Sequence, residues 1–233
     1  MLFPMNVFKW TLRTLVTLAI GTGIIYLVLL SLRPDRTDLQ QILFKGIEYQ
    51  RITKNSPRPM IFHVIRINLD TPGISLMVTP FDQNKASNHY MARTTSDFIR
   101  EYDVQFAVNA SFFYPFEENT PWDFYPMKEE PVTAVGYVTS NQQAQSTSGS
   151  SFSQLCIGNT VTIKASGCPA DSMFAVSGNT VFLQHGQVIT GNKPFDINPY
   201  PRTASALDAD NKTLWFVVVD GKQNGYSEGI CLL

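Results

Sequence analysis

The chain has 233 residues, a formal net charge of −1 and only 16% charged residues, which allows one domain with a sizeable core and offers no field for a polyanion. No local basic patch breaks that balance, so nucleic acid is excluded as an expected partner. With 16 Phe, 9 Tyr and 14 each of Gly and Pro, the composition fits short strands between turns better than a helical bundle.

At the N-terminus, Thr14 to Leu32 carries no charge, with Lys9 and Arg13 before it and Arg33 after. That is about the length a bilayer core demands. Leu30-Ser31-Leu32-Arg33 makes a poor cleavage site, so the stretch reads as an uncleaved signal anchor rather than a signal peptide. No polar face interrupts it, which speaks against a buried core helix. The expected division is residues 1–38 as cytoplasmic tip, single-pass anchor and short linker, and 39–233 as the folded domain. Lys9 and Arg13 are matched by Arg33 and Arg36 across the span, so charge alone leaves the orientation a near tie. The cysteines lean towards an extracytoplasmic domain. Cys156 and Cys168 bracket IGNTVTIKASG, which as a hairpin would bring their Cα atoms within bridging range and leave Cys231 unpaired. Three unrelated buried thiols is the equal alternative.

Past the linker, LQQILFKGIEYQRI begins the folded body, with Gly46 to Thr53 predicted as the first strand. Pro57 and Pro59 mark a turn, and IFHVIRINLD alternates apolar and polar residues as a half-buried strand does. Ile74 to Pro80, after the Thr71-Pro72-Gly73 turn, reads as its antiparallel neighbour. Thr94 to Tyr102 predicts a helix: hydroxyls stand at its start, Asp97 lies in its first turn, and Phe98, Ile99 and Tyr102 share a face. VQFAVNASFFYP follows as an apolar strand ending at Asn109, either a ligand group on a rigid support or a turn-former serving its own backbone. The acidic, aromatic stretch EENTPWDFYPMKEE reads as a long loop, and Ser140 to Ser153 as a solvated one. Two strands with turns at Gly178-Asn179 and His185-Gly186 are expected in MFAVSGNTVFLQHGQVIT.

The three histidines give no catalytic motif. His185 reads as a turn residue, His63 lies mid-strand and His89 in a loop; none has an evident nucleophile partner, and no Gly-x-Ser-x-Gly elbow exists. Serine-hydrolase chemistry is therefore disfavoured. Metal-ligand spacing such as His-x-x-x-His or Cys-x-x-Cys is absent, so no metal site is expected, and nothing names a cofactor.

The segment PRTASALDADNKTLWFVVVDG reads as strand, turn at Ala209 to Lys212, strand. An arginine, Arg202, opens the first strand and a carboxylate, Asp220, closes the second, so the hairpin is expected to bring them together at one sheet edge. Such a pair suits an anionic substrate, the guanidinium gripping phosphate oxygens and the carboxylate serving as base, nucleophile or cation stabiliser. A structural salt bridge beside an Asp-Gly turn is the competing account.

Taken in order, HVIRINLDTPGISLMVTP, RTTSDFIREYDVQFAVNASFF, FAVSGNTVFLQHGQVI, PRTASALDADNKTLWFVVVDG and Tyr226-Ser227-Glu228-Gly229 resemble the phosphodiester glycosidase family, over roughly Gly46 to Gly229. That family includes the uncovering enzyme that removes N-acetylglucosamine from a sugar-phosphate diester. The resemblance implies an α+β fold, a large mixed but mostly antiparallel sheet packed on helices, and hydrolysis of a glycosyl phosphodiester at the sugar C1–O bond. It implies Arg202 on the phosphate, Asp220 at the reacting centre and Asn109 orienting substrate oxygens, with Thr203, Gly221, Ser227 and Gly229 shaping the pocket. The substrate would be a glycosyl phosphate of an envelope polysaccharide or glycoconjugate. Two departures stand out: Lys222 replaces the family's Arg after Asp-Gly, and members continue past Ser-x-Gly with a helix and a strand leading to an Asp-Gly-Gly-Gly-Ser type motif. The expectation is therefore a C-terminally truncated chain, GICLL being the first turn of the cut helix, inactive or poorly folded unless a C-terminal fragment complements it. The alternative is a non-catalytic carbohydrate-binding or scaffold domain at the membrane, with Trp122, Phe124 and Tyr125 stacking on sugar rings.

Overall fold

The computed structural model describes residues 5–81, 90–120, 122–146, 152–189 and 196–232. It divides at Arg36 into two units. The first holds helix α1, Met5–Ser31, in which Lys9–Ser31 is long and apolar enough to cross a membrane. The hydroxyls of Thr14, Thr17 and Thr22 each donate to a carbonyl one turn back. Polar side chains in this stretch thus satisfy themselves within the helix, as an apolar surrounding requires.

The second unit is built of short strands. In chain order they are β1 (Leu39–Phe44), β2 (Ile47–Lys54), β3 (Met60–Asn68) and β4 (Tyr90–Met91), then helix α2 (Thr95–Tyr102). Next come β5 (Phe113–Tyr114), β6 (Glu117–Thr120), β7 (Asp123–Tyr125), β8 (Pro131–Ala134), β9 (Tyr137–Ser140) and β10 (Gln143–Ser146). The rest are β11 (Ser153–Ile157), β12 (Val161–Lys164), β13 (Phe174–Gly178), β14 (Leu183–Gln184), β15 (Gln187–Val188), β16 (Asp196–Tyr200), β17 (Arg202–Leu207), β18 (Thr213–Val219) and β19 (Ile230–Leu232).

Two five-stranded antiparallel sheets dominate, in the orders β1-β2-β3-β18-β17 and β10-β9-β13-β11-β12. Their facing sides meet in one core, where Ile47, Ile65, Ile67 and Leu214 of the first sheet pack with Leu155 and Val161 of the second. Period-2 alternation selects these residues: β3 turns His63, Ile65 and Ile67 to the core side, and Val64 and Arg66 to the other. On that outer side Arg66 bonds Glu48 at 3.2 Å and lies 5.7 Å from the Trp215 ring centre. The fold is thus α+β with large antiparallel sheets. The expected single mixed sheet on helices is corrected to two antiparallel sheets packed on each other, with one short helix among the described residues of this unit.

Helix α2 forms as its sequence dictates. Thr94 caps it, its hydroxyl accepting from the Asp97 N–H at 3.1 Å, and Asp103 ends it in the left-handed region at φ 51. The Phe98 and Tyr102 rings pack one turn apart, 4.7 Å between centres and tilted by 44°.

Six local expectations are corrected. Ile74 to Pro80 is not a strand, because both edges of β3 are already taken by β2 and β18. Residues 104–112 make no ladder; the segment is held instead by Phe106 against Phe216 and by the side chains of Asn109 and Ser111. The acidic stretch folds back as the β6–β7 ribbon. Gln143 to Ser146 pairs with β9 rather than forming loop, and residues 147–151, like His89, lie outside the described residues. Ile230–Leu232 is a strand against β16, not the first turn of a helix. The body begins at Leu39 as expected, but its first strand is β1, and the strand expected first, Gly46 to Thr53, is the second, β2.

Two measurements test this packing. Leu214 has no exposed surface, so Leu214→Ala should lower the unfolding free energy of the detergent-solubilised chain by about 2–5 kcal/mol in a denaturant titration. Asp97 is held at a pKa of about 2, chiefly by its hydrogen bond from Arg100. A folded-state value below the unfolded one means stability present above about pH 4 and lost as pH falls towards 2. Asp97→Asn should flatten that part of the acid unfolding profile.

Candidate functional site

The site is set by the end of the β3–β18 ladder. Across the first sheet, Arg51, His63, Val218 and Thr203 lie in one register row and share the core-side face. Asp220 follows β18 two residues beyond Val218, and its side chain joins the same face. Its Oδ2 is 3.1 Å from His63 Nε2, and the other ring nitrogen, Nδ1, is 2.8 Å from the Tyr49 hydroxyl. Tyr49, His63 and Asp220 thus make a hydrogen-bonded chain across three adjacent strands. Burial raises the Tyr49 phenol above its ordinary pKa, with Asp220 acting in the same direction and Arg51 against it, so the hydroxyl keeps its proton.

The backbone of Asp220 is pinned as well. Its N–H donates to the Ile61 carbonyl at 3.1 Å, and its carbonyl accepts from the Ser227 hydroxyl at 2.9 Å. The same Ser227 oxygen accepts from the Ile61 N–H at 3.0 Å. Ser227 has no exposed surface; it is placed as a clasp between β3 and the end of β18 rather than as a residue open to a ligand.

Gly221 and Gly229 are likewise close-approach positions. A Cβ on Gly221 would run into the Pro201 nitrogen, and one on Gly229 would sit 2.6 Å from the Tyr200 carbonyl, at a backbone φ of 98. Both glycines let the 221–229 turn pack against the start of β17.

Asn109 and Thr203 come together, the Thr203 hydroxyl donating to Asn109 Oδ1 at 2.6 Å. Arg202 stands opposite Val219, one residue out of phase with Asp220, so strand alternation sends the guanidinium and the carboxylate to opposite faces. The expected Arg202–Asp220 juxtaposition is corrected accordingly. The guanidinium carbon lies 5.3 Å from the Tyr200 ring centre. Asn109, Arg202, Thr203 and Lys222 line an open, largely apolar groove of about 2990 Å3, several times the ~300–1,000 Å3 of a small-molecule site. Lys222 forms an ion pair there with Glu118 of β6.

Cys156 and Cys168 are joined by a disulfide with Cα atoms 5.6 Å apart, tying β11 to the segment after β12, and Cys231 takes no part in a disulfide. His185 takes a left-handed turn conformation, φ 50, next to Gly186. Among the described residues, no group of three or more His, Cys, Asp or Glu side chains gathers as a metal site would. Tyr49 and His63 were not legible as site residues. Their only sequence signal is the matching inward phase of β2 and β3, which needs the register to become a contact.

The phosphodiester glycosidase family model matches residues 102–232, over half of the chain. The chain belongs to that family. No curated protein matches it.

Ser227 gives a direct test of the geometry. Ser227→Ala would leave the Ile61 N–H and the Asp220 carbonyl each without this partner in a dry setting, and should cost about 2–4 kcal/mol in denaturant titration.

Proposed function

We propose that the chain hydrolyses a glycosyl phosphodiester, breaking the bond between sugar C1 and the phosphate oxygen to give free sugar and a phosphomonoester. Water supplies the hydroxyl that ends on C1, and its proton ends on the phosphate. The reaction passes through an oxocarbenium-like state that a carboxylate stabilises or attacks. The leaving phosphomonoester is already acidic, so cationic and hydrogen-bond contacts can replace much of the protonation a sugar alcohol would need. In this proposal Asp220 is the acidic group at the reacting centre, Asn109, held by Thr203, orients substrate oxygens, and Arg202 takes the phosphate from across the strand end.

The observation that carries the proposal is the family match over 102–232, which contains Asn109, Arg202 and Asp220, joined to the fixed posture of Asp220 on a rigid strand end. The disulfide supports an extracytoplasmic domain, and helix α1 supports a substrate near a membrane, such as an envelope polysaccharide or glycoconjugate; removal of N-acetylglucosamine in the manner of the uncovering enzyme is the narrowest form of the proposal. A second reading, a carbohydrate-binding module without turnover, is favoured by Trp122 on the acidic ribbon, 79% exposed, where a ring could stack on a sugar.

One substitution separates them. Asp220→Asn should lower release of free sugar from a sugar-1-phosphodiester by about 10²–10⁴-fold while the unfolding midpoint stays put. Sugar binding that survives this change, with no turnover in the parent chain, would favour the binding module.

A further inference from the structure

The Tyr49–His63–Asp220 chain has more order than an exposed ion pair needs. A carboxylate accepts only, so His63 Nε2 must carry the hydrogen of the 3.1 Å contact to Asp220 Oδ2. When the ring is neutral, that leaves Nδ1 as an acceptor, and the Tyr49 hydroxyl, 2.8 Å away, donates to it. Tyr49 is suited to this because burial disfavours its phenolate. Tyr49 therefore selects the tautomer of the neutral His63 ring, and His63 in turn fixes one oxygen of Asp220; among the described residues Oδ1 holds no hydrogen bond.

Rigidity comes from the frame. Tyr49 and His63 sit within β2 and β3, and the backbone of Asp220 is tied to Ile61 and Ser227. Side chains on paired strands hold a reacting group more closely than side chains on loops. The histidine and aspartate side chains are about one-third exposed, 31% and 34%, a setting in which such a polar contact adds little to stability. What such a chain does well is hold the carboxylate in one orientation before the substrate arrives.

We infer that His63 is a positioning residue for Asp220, with Tyr49 fixing its tautomer; this rests on Asp220 acting at the reacting centre as proposed above. The groups facing His63 on its neighbours are Tyr49 and Arg51 of β2 and Asp220 after β18. Gln at position 63 keeps an N–H near the place of Nε2, whereas Phe keeps the bulk and loses the donor.

The test uses the full chain in detergent with glucosyl and N-acetylglucosaminyl 1-phosphodiesters. His63→Phe should lower kcat by about 10²-fold, the scale for misplacing a reacting group, with KM little changed. His63→Gln should recover most of the loss, and Tyr49→Phe should fall between. Nitrogen-15 spectra of the ring should show Nε2 protonated and Nδ1 bare in the parent chain, becoming a tautomer mixture in Tyr49→Phe. The inference alone is overturned if Asp220→Asn is inactive while His63→Phe keeps full kcat, or if the parent ring carries a proton on Nδ1, alone or together with Nε2. An active Asp220→Asn, or a parent chain that cleaves neither diester, overturns the assigned function and the inference with it.

Discussion

The antiparallel pairing of β3 with β18 is the constraint on which the rest hangs. It joins a hairpin from the start of the folded unit to one from its end, with Thr213 opposite Asn68 and Val219 opposite Phe62. Once that register is set, alternation decides everything at the site: Ile65, Ile67, Leu214 and Phe216 go inward, and so do His63 and Asp220. A slip of one residue would send Asp220 to the outer face and expose the core row. The hydrophobic demand of the core therefore fixes the posture of a polar group at the strand end.

The same logic splits the polar residues at the head of β17. Thr203 shares the inward face with Asp220 and holds Asn109, while Arg202 looks the other way, over Tyr200, and all three of Asn109, Arg202 and Thr203 line the groove. A substrate served by both would straddle the strand end, its sugar towards Asp220 and its phosphate towards Arg202. Gly221 and Gly229 permit this arrangement by letting the intervening turn lie directly on Pro201 and Tyr200.

Much of the frame was legible in the sequence for simple reasons. The β17–β18 hairpin, β3 and α2 each carry a strong local signal: alternation bounded by turn residues, or a hydroxyl cap before a short amphipathic stretch. What failed depended on partners far away in sequence. Ile74 to Pro80 alternates as a strand does, but no edge is free to receive it. The segment around Asn109 is apolar enough for a strand, yet its own side chains tie it to both sheets, Asn109 Oδ1 accepting from the Thr203 hydroxyl and Ser111 Oγ from the Ser177 N–H. The Arg202–Asp220 expectation counted strand ends correctly and missed the phase of one residue between them. Asp220, the carboxylate beside His63, is 157 positions away, a distance at which periodicity is silent.

The Ser227 clasp spans 166 positions to Ile61, and that span dictates an order of events during synthesis. The first three strands leave the ribosome early, already tethered by whatever membrane helix precedes them, and present β3 with one edge open. That edge stays open until β18 emerges, and the hydroxyl that seals it arrives later still. Nascent chains with an unpaired apolar strand invite the wrong neighbour. The interval between translating Ile61 and translating Ser227 is thus the period in which the open edge of β3 is most exposed to mispairing.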